Sequence, residues 1–194
     1  MRKLLLFGFV VALAFKAKAQ DPHFSQFFAS PLTLNPAFTG KFNGLCRLAA
    51  NHRDQWPSIP KAYVTSSASI DFPILAGKVP ENDVFGVGLS GLSDASANSI
   101  LKLNYGSASM SYHKSLDENG YSTIGAGFQA TYSSLNLDIT KLTFEDMLTQ
   151  NGFTGTTTDI LTNGSNQSYF DVNAGVLYSG SSNGINNYYA GVSM

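Results

Sequence analysis

The chain has a single cysteine, Cys46, so it cannot close a disulfide on itself. With no metal or redox motif around it, Cys46 reads as a small side chain on an apolar face. Charge is scarce too: 12 basic and 13 acidic residues in 194 leave a net charge of −1. No basic run offers a surface to nucleic acid. No stretch reaches about 18 consecutive apolar residues, which excludes a membrane-spanning helix. Catalytic signatures are also missing. Gly88-Leu89-Ser90-Gly91 approaches a nucleophile elbow but breaks at Leu92. There is no H-E-x-x-H, C-x-x-C, EF-hand or phosphate loop, so neither a metal nor a cofactor is expected. His23, His52 and His113 lie far apart in the sequence. A barrel phospholipase would need a Ser–His pair facing lipid, and His113 beside its serines is the only opening for one.

What is present begins with a secretory signal over residues 1–19. Arg2 and Lys3 precede an apolar run from Leu4 to Phe15, too short to span a bilayer, and Ala17-Lys18-Ala19 gives the cleavage pattern. The mature chain is expected to start at Gln20. An uncleaved anchor is the alternative; a lipoprotein is excluded because residue 20 is not cysteine.

Residues 20–43 form an arm. It holds Pro22, Pro31 and Pro36 together with Phe24, Phe27, Phe28 and Phe38. Pro36 drives Asn35 toward extended backbone, and Pro31 can open a short helix at Leu32. Four phenylalanines within residues 21–40 favour an ordered, irregular arm over a loose terminus.

From residue 44 onward the period is two, so residues i, i+2 and i+4 share a face. Over 62–72, Ala62, Val64, Ala68, Ile70 and Phe72 stand opposite Thr65, Ser67, Ser69 and Asp71. Over 122–132, Ile124, Ala126, Phe128, Ala130 and Tyr132 stand opposite Gly125, Gly127, Gln129 and Thr131. Over 170–178, Val172, Ala174, Val176 and Tyr178 stand opposite Asp171, Asn173 and Gly175, with Leu177 the exception. Weaker strands are expected over 45–53, 84–92, 101–114 and 188–194. The third of these changes phase midway, and a bulge near Gly106 would reconcile it.

About seven antiparallel strands follow, each about ten residues long, the length that crosses a bilayer at a tilt. If 45–53 runs outward, the joins near 74–83, 115–120 and 181–187 are periplasmic. Those near 54–61, 93–100 and 133–168 are external, which puts the longest join outside, as in outer-membrane barrels. Tyr63, Phe72, Tyr105, Tyr112, Tyr121, Tyr132, Tyr169 and Tyr178 fall near strand ends, as in an aromatic girdle; ordinary β-propensity is the competing explanation. A soluble sandwich would carry Lys and Glu on its exposed face, whereas this polar face is Gly, Ser, Asn and Thr. The fold class is therefore all-β: an antiparallel transmembrane outer-membrane β-barrel over 44–194. The odd strand count points to a partial barrel, or to one further strand within 135–152.

The segment QDPHFSQFFASPLTLNPAFTG, followed by Asn51-His52-Arg53-Asp54-Gln55-Trp56-Pro57-Ser58-Ile59-Pro60, resembles the PorP/SprF family of type IX secretion system membrane proteins from Bacteroidetes. Lys141-Leu142-Thr143-Phe144, Ser168-Tyr169-Phe170-Asp171 and Tyr188-Tyr189-Ala190-Gly191-Val192-Ser193 fit the same pattern. The family runs on past this last motif, so the sequence is expected to be C-terminally truncated; Cys46 lies outside the pattern. The resemblance implies an outer-membrane barrel that supports protein export and delivery of a surface adhesin in gliding. Its implied partners are periplasmic or peptidoglycan-linked components of the same system, and the exported substrate or adhesin.

Asp21, Pro22, Phe24, Ser25, Gln26, Phe27, Phe28, Pro31, Asn35, Pro36, Phe38 and Gly40 are the candidates for anchoring the arm in or under the barrel, or for docking a periplasmic partner. Arg47, Asn51, Arg53 and Asp54 are candidates for lining the lumen and fixing the arm, or for plain polar filling. Gln55, Trp56 and Pro57 make a rigid corner. The alternative function is a general porin or solute channel.

Overall fold

Alternation becomes a curled sheet. The computed structural model describes residues 27–59, 62–74, 79–80, 82–150, 152–153, 157, 166–181 and 186–194. The proposed signal peptide and residues 20–26 of the arm lie outside them. Seven strands pair with their sequence neighbours, all antiparallel: β1 (Arg47–Gln55), β2 (Tyr63–Ile74), β3 (Val84–Ser96), β4 (Leu101–Ser115), β5 (Ser122–Leu137), β8 (Asn166–Ser181) and β9 (Asn187–Ser193). A two-strand hairpin, β6 (Leu148–Thr149) with β7 (Gly152–Phe153), sits in the join between β5 and β8. The sheet curls into a half-barrel with β1 and β9 at its edges. No helix among the described residues is long and apolar enough to cross a membrane.

Burial runs opposite to that of a water-soluble protein. On β5, Thr123, Gly125, Gly127, Gln129, Thr131 and Ser133 are buried, while Ile124, Phe128 and Tyr132 are exposed. On β4, Ser107, Ser109, Ser111 and His113 are buried, while Met110 and Tyr112 are exposed. Ile124, Phe128 and Val172 are 44%, 57% and 60% exposed. A sandwich with a dry core would turn those three inward. Phe72, Val87, Leu89, Met110, Phe128 and Val172 instead line one shallow apolar groove on the convex face. Aromatics close this belt at both ends. Phe85 pairs with Tyr112 toward the β4–β5 turn, and Tyr132 pairs with Phe170 toward the opposite end. That is the surface a bilayer covers.

Three expectations change. Register runs unbroken through Gly106, which pairs with Gly91 on one side and Tyr132 on the other, so there is no bulge. The phase change is chemical: Leu103 and Tyr105 continue the inner face where β4 rises above the serines. The further strand expected within 135–152 does not join the sheet among the described residues: 135–137 complete β5, two 3-10 turns follow (Ile139–Lys141 and Glu145–Met147), and β6 pairs only with β7. The strands also overrun the expected ten residues: β2, β3, β4, β5 and β8 span 12 to 16. As a result, the β3–β4 join shrinks to residues 97–100.

That tight join stores strain. Ala97, Asn98 and Ser99 all have positive φ, at 50°, 58° and 63°. Asn tolerates the left-handed region; alanine does not. Ala97→Gly is expected to stabilise the barrel by about 1 kcal/mol. A urea titration in lipid vesicles should show a raised midpoint, and Asn98→Gly should raise it less.

Candidate functional site

The concave face is occupied by the chain's own arm. A turn at Phe27–Ala29 leads into a one-turn helix, α1 (Pro31–Leu34), then a second turn at Pro36–Phe38. The prolines set these breaks. Pro31 opens α1, where its missing N–H costs nothing, and Asn35, extended before Pro36, ends it. Asn35 then works as a staple. Its Oδ1 accepts from the Ala37 N–H at 2.8 Å, and its Nδ2 donates to the carbonyls of Val176 on β8 and Val192 on β9 at 3.3 and 3.4 Å.

The wall is shaped to this path. A Cβ on Gly127 would sit 2.4 Å from the backbone of Pro36 and Ala37, and one on Gly86 would sit 2.4 Å from the Thr39 carbonyl oxygen. A Cβ on Gly175 would meet the Asn35 amide at 2.1 Å. Glycine on the inner parity of β3, β5 and β8 is what lets the arm's backbone lie directly on the sheet. Between these sockets, Thr39 donates from Oγ1 to Ser109 Oγ at 2.9 Å, and Ser111 Oγ donates to the Thr39 carbonyl at 2.5 Å. Leu32, Ala37 and Thr39 are almost fully buried by this contact.

One ionic latch closes the arm onto the strands. Asp71 on β2 is fully buried. It accepts from Arg47 Nε at 2.9 Å, from Arg47 Nη2 at 2.7 Å and from the Gly40 N–H at 2.7 Å. Arg47 Nη2 also donates to the Phe38 carbonyl at 2.9 Å. Three charge-assisted donors converge on this one buried carboxylate. His113 is fully buried beneath the arm, its ring packed against Gly125.

The candidate residues divide accordingly. Pro31, Asn35, Pro36, Phe38 and Gly40 lie in the seated arm, and Phe38 packs against Tyr189 at 6.0 Å. Phe28 is 70% exposed on the arm's free side. Phe27 begins the first turn, and Asp21, Pro22, Phe24, Ser25 and Gln26 fall outside the described residues. Arg47 forms the latch, and Asn51 Nδ2 donates to the Ala29 carbonyl at 2.9 Å. Arg53 stands higher on the same face and bonds Gln55. Asp54 departs from the expectation: strand parity turns it to the outer face, where it is exposed. Trp56 and Pro57 form the exposed tip of the β1–β2 hairpin, where Trp56 meets Tyr63 edge-on at 5.7 Å. At the opposite end Asp83 accepts from the Tyr112 hydroxyl and the Ser115 N–H, which hold its carboxyl below the usual range.

Asp71, Thr39, Ser109, Ser111 and the socket glycines were not among the candidates. The signal was available in part. Asp71 is the only charged residue on the small polar face of β2, and a lone charge among serines there asks for a partner.

The family model of the type IX secretion system membrane protein PorP/SprF matches residues 16–194. The chain belongs to the PorP/SprF family. No curated protein and no solved structure matches it. Membership makes this PorP/SprF chain a membrane component of the type IX secretion system that works with the system's other components. The half-barrel, with its polar face inward, is the fold such an outer-membrane barrel requires. The family is a secretion-system component and not a known enzyme family.

Proposed function

We propose that this PorP/SprF protein supports export by protein–protein contact, with the arm as its working element and delivery of surface adhesins in gliding as its output. In this reading the barrel sits in the outer membrane, the mature N-terminus faces the periplasm, and the lumen is plugged. The observation that favours it is the seating of the arm. Glycines on three strands and a buried carboxylate are committed to holding residues 29–40 against the wall. A general solute channel would gain nothing from filling its own lumen.

Deleting residues 21–40 is expected to reduce export of the surface adhesin to background while barrel remains detectable in outer-membrane fractions. Normal export from inserted barrel would overturn the arm's role. The intact protein should be silent in planar bilayers, and steady conductance would favour the channel reading.

A further inference from the structure

A polar pocket of about 320 Å³ lies where the arm leaves the wall, at the end of the sheet that carries the β4–β5 and β8–β9 turns. Lys41, Asn43, Tyr121, Ser181, Asn187 and Tyr189 line it. Its charge is one-sided. Lys41 is half-buried and donates from Nζ to Thr123 Oγ1 at 2.8 Å, but it forms no ion pair among the described residues. No Asp or Glu lines the pocket. His113 lies close enough to feel the Lys41 charge. Ser181 Oγ is buried there without a hydrogen-bond partner among the described residues. A half-buried ammonium without a counter-charge is costly, and so is an unsatisfied buried hydroxyl.

The geometry points to a binding site for a single carboxylate, presented by a protein that docks at this end of the barrel. One positive charge with neutral hydroxyl and amide donors around it matches a monoanion. A phosphate dianion would call for a second cation or an arginine fork. The pocket is bounded by the arm's exit on one side and strand turns on the other, so an acidic group seated in it would touch both. This inference rests on the protein-contact reading above and gives that contact its chemistry. Burial lowers the Lys41 amine from its ordinary value, which makes it reactive enough to report on the site.

The test uses the full chain in detergent. Lys41 is acylated with the N-hydroxysuccinimide ester of acetic acid and its rate followed by peptide mass spectrometry, with Lys141, ion-paired to Asp138, as internal reference. Sodium acetate should slow Lys41 by about threefold relative to sodium chloride at equal ionic strength, and leave Lys141 unchanged. In Ser181→Ala the protection should shrink. Two peptides then separate the sources: acetyl-Ala-Ala-Ala with a free C-terminus, and acetyl-Ala-Asp-Ala-amide. Protection by the first assigns a chain terminus, and protection by the second assigns an acidic side chain; either supports the site. Equal protection by chloride, stronger protection by inorganic phosphate, or none from any carboxylate would overturn it. Such a failure would leave the arm-deletion result standing, and a failed export test would leave the pocket's chemistry standing.

Discussion

Asp71→Ala is expected to free the arm from the wall and to cost the barrel about 3 kcal/mol, the cost of breaking a buried ion pair. Asp71 is fully buried, and Arg47 is largely so. Removing the carboxylate strands the guanidinium and the Gly40 N–H at once, because both donate to it. Asp71→Asn keeps the shape and one acceptor oxygen but removes the charge, so it should fall between alanine and wild type. Arg47→Ala should be as severe as Asp71→Ala, and the double variant less severe than the sum, since the two act through one contact. Two readouts follow. The urea midpoint in vesicles should drop, and trypsin should cut after Lys41, which the seated arm half-buries. An unchanged midpoint with an uncut arm would remove the latch from the account.

The second large effect separates glycines that look alike in the sequence. Gly127→Val should expel the arm, and Gly106→Val should change almost nothing. A Cβ at 127 would sit 2.4 Å from the backbone of Pro36 and Ala37, whereas nothing lies within 4 Å of one at 106. Backbone cannot swing away as a flexible side chain can, so the whole segment must lift, losing the bonds made by Asn35 and Thr39 on either side. Overpacking alone costs about 1–3 kcal/mol, and the lost hydrogen bonds add to it. Arm proteolysis by trypsin and the urea midpoint should both move in Gly127→Val. If Gly106→Val matches it, the sockets have no special role and the glycines merely suit strand curvature.

The strands were legible from sequence because each reads on its own. A run such as residues 122–132 carries its two faces in the order of its residues, and pairing with β4 and β8 only extended it to Leu137. The inversion of those faces was legible too, from the scarcity of charge on the polar one. The strand ends were not, because main-chain pairing continues past the apolar belt into residues such as Ser133, Ser134 and Asn136, which have no hydrophobic period. The arm was legible as an ordered segment, but its seat was not. A glycine at 127 has the same letter as one at 106, and only the fold tells which of them faces Ala37. Asp71 lay on the right face, yet its partners come from 24 and 31 residues earlier in the chain. Asp54 went the other way: it shares the run Arg53-Asp54-Gln55 with luminal neighbours, but one step along a strand changes the face.

Neighbouring residues can decide which face of the sheet meets lipid. In a Cys46→Ser background, single cysteines replace Val172, Asn173, Ile70 and Ser69, each carrying an environment-sensitive fluorophore, with the barrel in vesicles of lipids brominated along the acyl chain. Val172 and Ile70 stand on the outer parity, Asn173 and Ser69 on the inner. Strong quenching at 172 and 70, with little at 173 and 69, is the predicted result. Quenching at 173 and 69 instead, or none at any of the four, would contradict it.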